Sequence, residues 1–354
     1  MLKVEIREDL AAFDELAPWW NDQPGPRQSV FLRSEWFRTL AETTLSSGDR
    51  LHVMVVRDDE DPLAAVPMYS SGGRLKALTE LATESFDVIH SGDERGIKTA
   101  MSELSRESYV RFTTVLPGSP ILGETESNPR WHVDQLTESA HIDMRGGPAR
   151  VVSGFSRNMR KNLRRGLRAL QEMGELGFEL HTERRQVSEA FQAALALEAA
   201  GWKGREGASV LGNPRRQRFF EKFTRLAHDH GWLRLGTMSL DGVMIAFSYD
   251  ILYAGRLAGI LSSYDESLPR KCSPGNVLLW KTVERAADQG ARAVDLGGAS
   301  GRNSWKLQWM SATTTRCSVT GFGSGAIGRA AHLVWRIRRS RSGSSDTRGV
   351  PADD

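Results

Sequence analysis

Cysteine is nearly missing. The 354-residue chain has two, Cys272 and Cys317. That is too few for a disulfide framework or a four-thiolate zinc site. A reducing cytoplasm is the compartment to expect. Long apolar runs are missing too. No window approaches the ~20 apolar residues of a membrane span. The start, Met1-Leu2-Lys3-Val4-Glu5-Ile6-Arg7-Glu8, lacks the apolar segment of a signal peptide. A dominant charge sign is also absent. With a formal net charge of +3, whole-chain electrostatics selects neither nucleic acid nor membrane. There is no Walker loop and no dinucleotide-binding glycine fingerprint. His228 and His230 flank Asp229 without a partner motif, so no metal centre is expected.

What is present is ordinary globular material, 40% apolar and 26% charged. The length implies about two domains. Trp36 to Tyr69 reads helix, strand, acidic turn, strand. Phe219 to Asp250 repeats that order, with Asp241-Gly242 between alternating runs as a hairpin turn. This predicts an α/β (α+β) fold of two copies of one unit, each a mixed, mostly antiparallel twisted sheet flanked by helices. Arg145-Gly146-Gly147-Pro148 closes the first copy. The expected domains are residues 1–148, residues 149–323, and a basic helix with a polar tail over 324–354.

Chemistry concentrates between Tyr264 and Trp309. The loop Arg270-Lys271-Cys272-Ser273-Pro274-Gly275-Asn276 precedes a helix, whose first N–H groups attract anions. Arg270 and Lys271 add charge, and Gly275 allows close backbone approach. Read blandly, this is a capped helix start after a surface loop. Cys272 has no histidine nearby in sequence to serve an acyl-enzyme. Asp250, Tyr264 and Asp265 lie at strand ends, where α/β sites gather, and Asp295 lies on a buried-looking strand. Asp295 is either a catalytic carboxylate or a cap for Gly297-Gly298. Glu198, near Trp202 and Lys203, is either a base beside an aromatic ring or a solvated acid. Lys306 either neutralises substrate charge or covers Trp305 and Trp309 with its stem. Arg157, Arg160, Lys161, Arg164, Arg165 and Arg168 form one basic stripe without an acid before Leu170. That pattern predicts a polyanion-facing helix.

Several pieces recur here in a fixed order: Gly201-Trp202-Lys203-Gly204, the Asp241-Gly242 hairpin, Tyr264-Asp265, Ser273-Pro274-Gly275, Asp295-Leu296-Gly297-Gly298 and Trp305-Lys306 before Trp309. Over roughly Ser153 to Gly321 this resembles the acetyltransferase-like domain of the CelD-like cellulose-biosynthesis group, related to GNAT acyltransferases and Fem peptidyltransferases. The resemblance implies tandem GNAT-like units. It also implies acyl transfer from acetyl-CoA or another acyl-CoA, a cosubstrate and not a resident cofactor, to an amine or hydroxyl of a small-molecule or cell-envelope or exopolysaccharide precursor. Arg270, Lys271, Ser273, Gly275 and Asn276 would then bind the coenzyme, although this loop has one glycine where the family usually has more. Glu198, Asp250 or Asp295 would be the base and Tyr264 the acid. Trp202, Lys203, Lys306, Arg160 and Arg164 would face substrate. One alternative is a Fem-like transferase using aminoacyl-tRNA, met by the basic stripe. Another is a non-catalytic binding protein of a polysaccharide-synthesis complex. Finally, the helix over 326–341 carries Arg329, Arg336, Arg338, Arg339 and Arg341 with Ile327, Leu333, Val334, Trp335 and Ile337. It suits either an anionic membrane surface or docking on the protein's own body.

Overall fold

The computed structural model describes residues 2–80, 82–299 and 301–342. The stretch 343–354, expected as a polar tail, lies outside the described residues. By contact the chain divides into two compact units. The first is Met1–Glu138, Ser300–Ser304 and Thr315–Asp354; the second is Ser139–Ala299 and Trp305–Thr314.

The first half runs β1 (Leu2–Arg7), α1 (Ala11–Trp20), α2 (Pro24–Gln28), α3 (Ser34–Thr44), β2 (Asp49–Asp58), β3 (Asp61–Ser71), β4 (Arg74–Ala77), β5 (Ile89–His90), α4 (Glu94–Leu104), β6 (Val110–Val115), α5 (Pro120–Ser127) and β7 (Trp131–Asp143). The second runs α6 (Gly147–Gly154), α7 (Arg157–Gln171), β8 (Leu176–His181), α8 (Arg184–Ala200), α9 (Trp202–Arg205), α10 (Pro214–Asp229), β9 (Leu233–Leu240), β10 (Val243–Tyr253), β11 (Arg256–Tyr264), α11 (Pro274–Asp288) and β12 (Ala293–Gly298). A 3-10 helix (Gly301–Gln308), β13 (Ala312–Gly321) and α12 (Ala326–Ser342) complete it. The turn-rich region 117–129 contains α5, because Ser119 caps it and Pro120 opens it.

The repeated plan is present. Both hairpins turn through an aspartate at positive φ, Asp59 at 51° and Asp241 at 49°, the second followed by Gly242 at 78°. That backbone matches the twist of the flanking strands. In the first unit the strand order is β1-β2-β3-β4-β6-β13-β7, with β4 and β6 parallel. In the second it is β7-β12-β11-β10-β9-β8, with β11 and β12 parallel and the other neighbours antiparallel. Each is the mixed, mostly antiparallel sheet with flanking helices that the order of elements predicts.

The division of the chain differs from the expected one. It falls within β7, after Glu138, and most of β13 goes back to the first unit. The reason is strand pairing. β13 pairs with β6, Cys317 opposite Val115, while the end of β7 pairs with β12, Ile142 opposite Val294. Each sheet thus takes a strand from a distant part of the chain, and chain order carries no trace of such pairing.

Candidate active site

In the second unit β11 and β12 pair only at Arg256–Ala293, Leu257–Val294 and Ala258–Asp295. Beyond that point β11 runs on to Tyr264 and β12 to Gly298 with no further pairs between them. The strands part. At the parting point β11 carries a bulge, since Gly259 and Leu261 face Asp250 and Tyr249 and leave Ile260 over. Bulges of this kind bend a strand and end its pairing.

The loop after β11 leads to α11. Ser273 has left-handed backbone, φ 45° and ψ 53°, and no acid occupies the first turn. Pro274 has no N–H, and the N–H groups of Asn276 and Val277 turn back to the Ser273 carbonyl. Gly275 retains its N–H, and a Cβ there would come within 3.0 Å of the Tyr264 ring. Arg270 and Lys271 are exposed. The Asn276 side chain is committed within the fold. It donates to Ser273 Oγ at 2.9 Å and accepts from Trp309 Nε1 at 3.0 Å.

The corresponding helix of the first unit begins differently. At α4 the Asp93 carboxylate itself accepts from the Arg95 N–H at 2.8 Å, and Glu94 follows. An N-terminus filled by two acids repels phosphate; the N-terminus of α11 does not.

Asp295 centres a polar cluster. Its Oδ1 accepts from the Gly297 N–H at 2.9 Å and the Ser139 hydroxyl at 3.3 Å, and stands 3.5 Å from His141 Nδ1. Arg256 stands 3.9 Å from Oδ2. Burial pulls Lys306 down to about 8, against the raising effect of the Asp295 charge and with a further push from Lys203. Burial also lowers His141, opposed by Asp295. Lys203 donates to Glu198 Oε1 at 2.8 Å and to the Ser262 carbonyl at 3.1 Å, on the β11 segment beyond the parting point.

Residues 157–307 match the family described as acetyltransferase (GNAT) domain. At family level the likeness is confined to these residues. Likeness to solved structures extends over nearly all of the chain and concerns the fold. FemX is similar at 10% identity, with 91% of this chain and 98% of that one covered and a TM-score of 0.59. L-PGS from Bacillus licheniformis is similar at 14% identity, covering 93% and 95%, TM-score 0.52. A tandem GNAT protein from the clavulanic acid biosynthesis pathway is similar at 13% identity, covering 92% and 100%, TM-score 0.51. Among curated proteins no sequence relative of the chain is found.

Within residues 157–307, alternation along the strands separates the predicted catalytic residues. Leu257 and Val294 pack with Val283 and Ala286 of α11. Asp250 joins them there, lining a cavity of about 20 Å³ with Leu257, Lys281 and Thr282. Burial pushes Asp250 up to about 7, and its Oδ2 has no hydrogen-bond partner. Ala258 and Asp295 alternate to the other face. Asp250 and Asp295 therefore do not share a site. Glu198 is 1% exposed, and the Val210 N–H takes its second oxygen at 2.9 Å. Tyr264 lies at the loop end, and six residues of strand between Ala258 and Tyr264 span about 20 Å.

Other expectations divide similarly. Arg160 donates to the carbonyls of Ser153 and Phe155 at 3.1 and 2.8 Å, closing the end of α6. α7 does touch the loop before α11, since a Cβ on Gly166 would lie 2.7 Å from the Cys272 carbonyl. Arg164 stands about half a turn around the helix from Gly166. The basic stripe is exposed on the side away from the loop. Trp202 is half-buried, and its backbone N–H donates to Glu266 Oε1 at 3.3 Å. Cys272 is fully buried, which removes it from substrate. A cavity of about 580 Å³ lies between α6, α7 and Trp309, lined by Val151, Phe155, Met159 and Met310, and holds none of the predicted catalytic residues. His141 and Ser139 were not anticipated. They come from β7, and nothing local in their sequence marks them.

Proposed function

We propose that the GNAT domain moves an acyl group from acyl-coenzyme A to an amine or hydroxyl. The carrying observation is the gap between β11 and β12, which leads from Asp295 to the acid-free N-terminus of α11. Arg270, Lys271, Ser273 and the Gly275 N–H would hold the pyrophosphate, with Tyr264 beside them. The thioester would lie at the Asp295 end. There the acceptor attacks the carbonyl, a bond from carbon to nitrogen or oxygen forms, and the bond to sulfur breaks. Asp295 takes the acceptor's proton. Lys306, with its affinity lowered to about 8, gives a proton to the departing thiolate. A lysine poised near the thiol range suits that role. The sequence resemblance to the CelD-like group supports a cell-envelope or exopolysaccharide precursor as acceptor.

Calorimetry with coenzyme A tests the donor side. Binding heat is expected for the wild type. Arg270→Ala with Lys271→Ala should weaken affinity roughly 10- to 100-fold, the loss of one to two charge-assisted contacts. No heat from the wild type at millimolar ligand would overturn the donor assignment.

The role of Lys306 predicts a pH limb. The ammonium is present below about 8, so kcat/KM should fall as pH rises through that value. Lys306→Met should flatten the limb along with the rate. An alkaline limb that survives unchanged in Lys306→Met would assign it to another group.

A second reading takes the donor from aminoacyl-tRNA. It is favoured by the exposed stripe on α7, where Arg157, Lys161, Arg164, Arg165 and Arg168 pair with no carboxylate among the described residues, and by the likeness to FemX. Aminoacyl-tRNA that binds with a steep salt dependence, where coenzyme A fails, would select it.

A further inference from the structure

The C-terminal helix α12 resolves the two alternatives offered by its sequence into two faces. One face is docked within the first unit. Gly328 lies so close to the chain that a Cβ would meet the Gly323 carbonyl at 2.3 Å. His332 Nε2 is 2.8 Å from His132 Nε2. Trp335 stacks on His132 at 4.4 Å, and Arg339 pairs with Asp134 at 3.2 Å while covering the Trp335 ring. These positions recur at helical spacing and make one stripe. Trp335, which the sequence offers as a membrane anchor, is therefore occupied in holding the helix down.

The opposite face is apolar and uncovered. Ile327 is 75% exposed, Leu333 58%, Val334 48% and Ile337 43%. At 100° per residue these side chains occupy one arc about half a turn from His332 and Gly328. Arg329 and Arg336 flank the arc on one side and Arg338 on the other. No Asp or Glu occurs from Ala326 to Ser342. The helix is neither long nor apolar enough to cross a membrane.

We propose that α12 is a surface anchor for an anionic lipid bilayer. Ile327, Leu333, Val334 and Ile337 enter the boundary between headgroups and acyl chains, while Arg329 and Arg336 meet lipid phosphates. Charge argues for this occupant. A second copy of the same face would bring arginine rims together without an acid in either helix. The remaining stretch 343–354, Gly343-Ser344-Ser345-Asp346-Thr347-Arg348-Gly349-Val350-Pro351-Ala352-Asp353-Asp354, is mostly polar and offers little apolar area to cover such a face. The proposal stands independently of the transferase reading.

Flotation of the full chain with phosphatidylcholine vesicles, with and without phosphatidylglycerol, decides it. Binding should require phosphatidylglycerol and weaken with added salt. Leu333→Asp with Ile337→Asp should abolish binding with thermal unfolding unchanged, because both side chains face outward. Arg329→Gln with Arg336→Gln should weaken it roughly thirtyfold. Absence of binding at low salt would overturn the proposal. So would binding that ignores Leu333→Asp with Ile337→Asp, or a wild-type dimer that this variant dissociates in the absence of vesicles.

Discussion

Asp295→Asn should lower kcat by about 10²- to 10⁴-fold, the span of a lost general base, with the protein still folded. The substitution is chosen for what it keeps. Oδ1 accepts from the Gly297 N–H and the Ser139 hydroxyl, and an amide oxygen does the same. What it removes is the negative charge and the ability to take a proton. The charge has a second reader. Asp295 raises the proton affinity of Lys306 against the effect of burial. Its loss should therefore move the alkaline limb of kcat/KM to lower pH than in the wild type. Rate and limb position together separate a chemical role from a structural one. A purely structural defect would lower the unfolding midpoint and leave the limb in place. Tyr264→Phe is the control at the far end of the gap, and its effect should fall on KM for the coenzyme more than on kcat. A full-rate Asp295→Asn enzyme would remove Asp295 from the reaction.

The largest stability effect should come from Glu198→Ala, about 3–5 kcal/mol, as expected for breaking a buried ion pair. Glu198 stands in the last turn of α8, with one oxygen on Lys203 Nζ and the other on the Val210 N–H. Alanine removes the ammonium's counter-charge and leaves the buried Val210 amide without its acceptor. The measurement is the denaturant midpoint, read with the slope unchanged. Glu198→Leu with Lys203→Met removes both charges and should recover much of the loss, since an apolar pair of similar volume is often no less stable than a buried ion pair. This test also judges the carboxylate as a base. A Glu198→Ala protein of wild-type stability but without activity would restore Glu198 to the chemistry.

Several features of the chain were readable in advance for local reasons. Asp241-Gly242 specifies its hairpin through two residues that tolerate positive φ. The Pro274-Gly275 start of α11 and the period of apolar residues on α7 depend only on neighbours three or four positions away. The basic stripe from Arg157 was visible for the same reason. Its direction was not, because which side of α7 faces the loop is decided by Gly166 against the Cys272 carbonyl. Glu198 and Lys203, five apart, formed no helical pair to recognise; they meet because α8 ends at Gly201 and the chain turns back.

Short-range chemistry therefore set the elements, their order and their doubling, and it marked the stretch from Tyr264 to Trp309. Tertiary structure alone decided which carboxylates could work together. Asp250 and Asp295 look equivalent in sequence, yet strand alternation places one under α11 and the other with Lys306. His141 joined that cluster because β7 pairs with β12 across a long chain separation. The parting of β11 and β12 has the same origin. It depends on which strands lie side by side and where their pairing stops, and no window of adjacent residues contains that information.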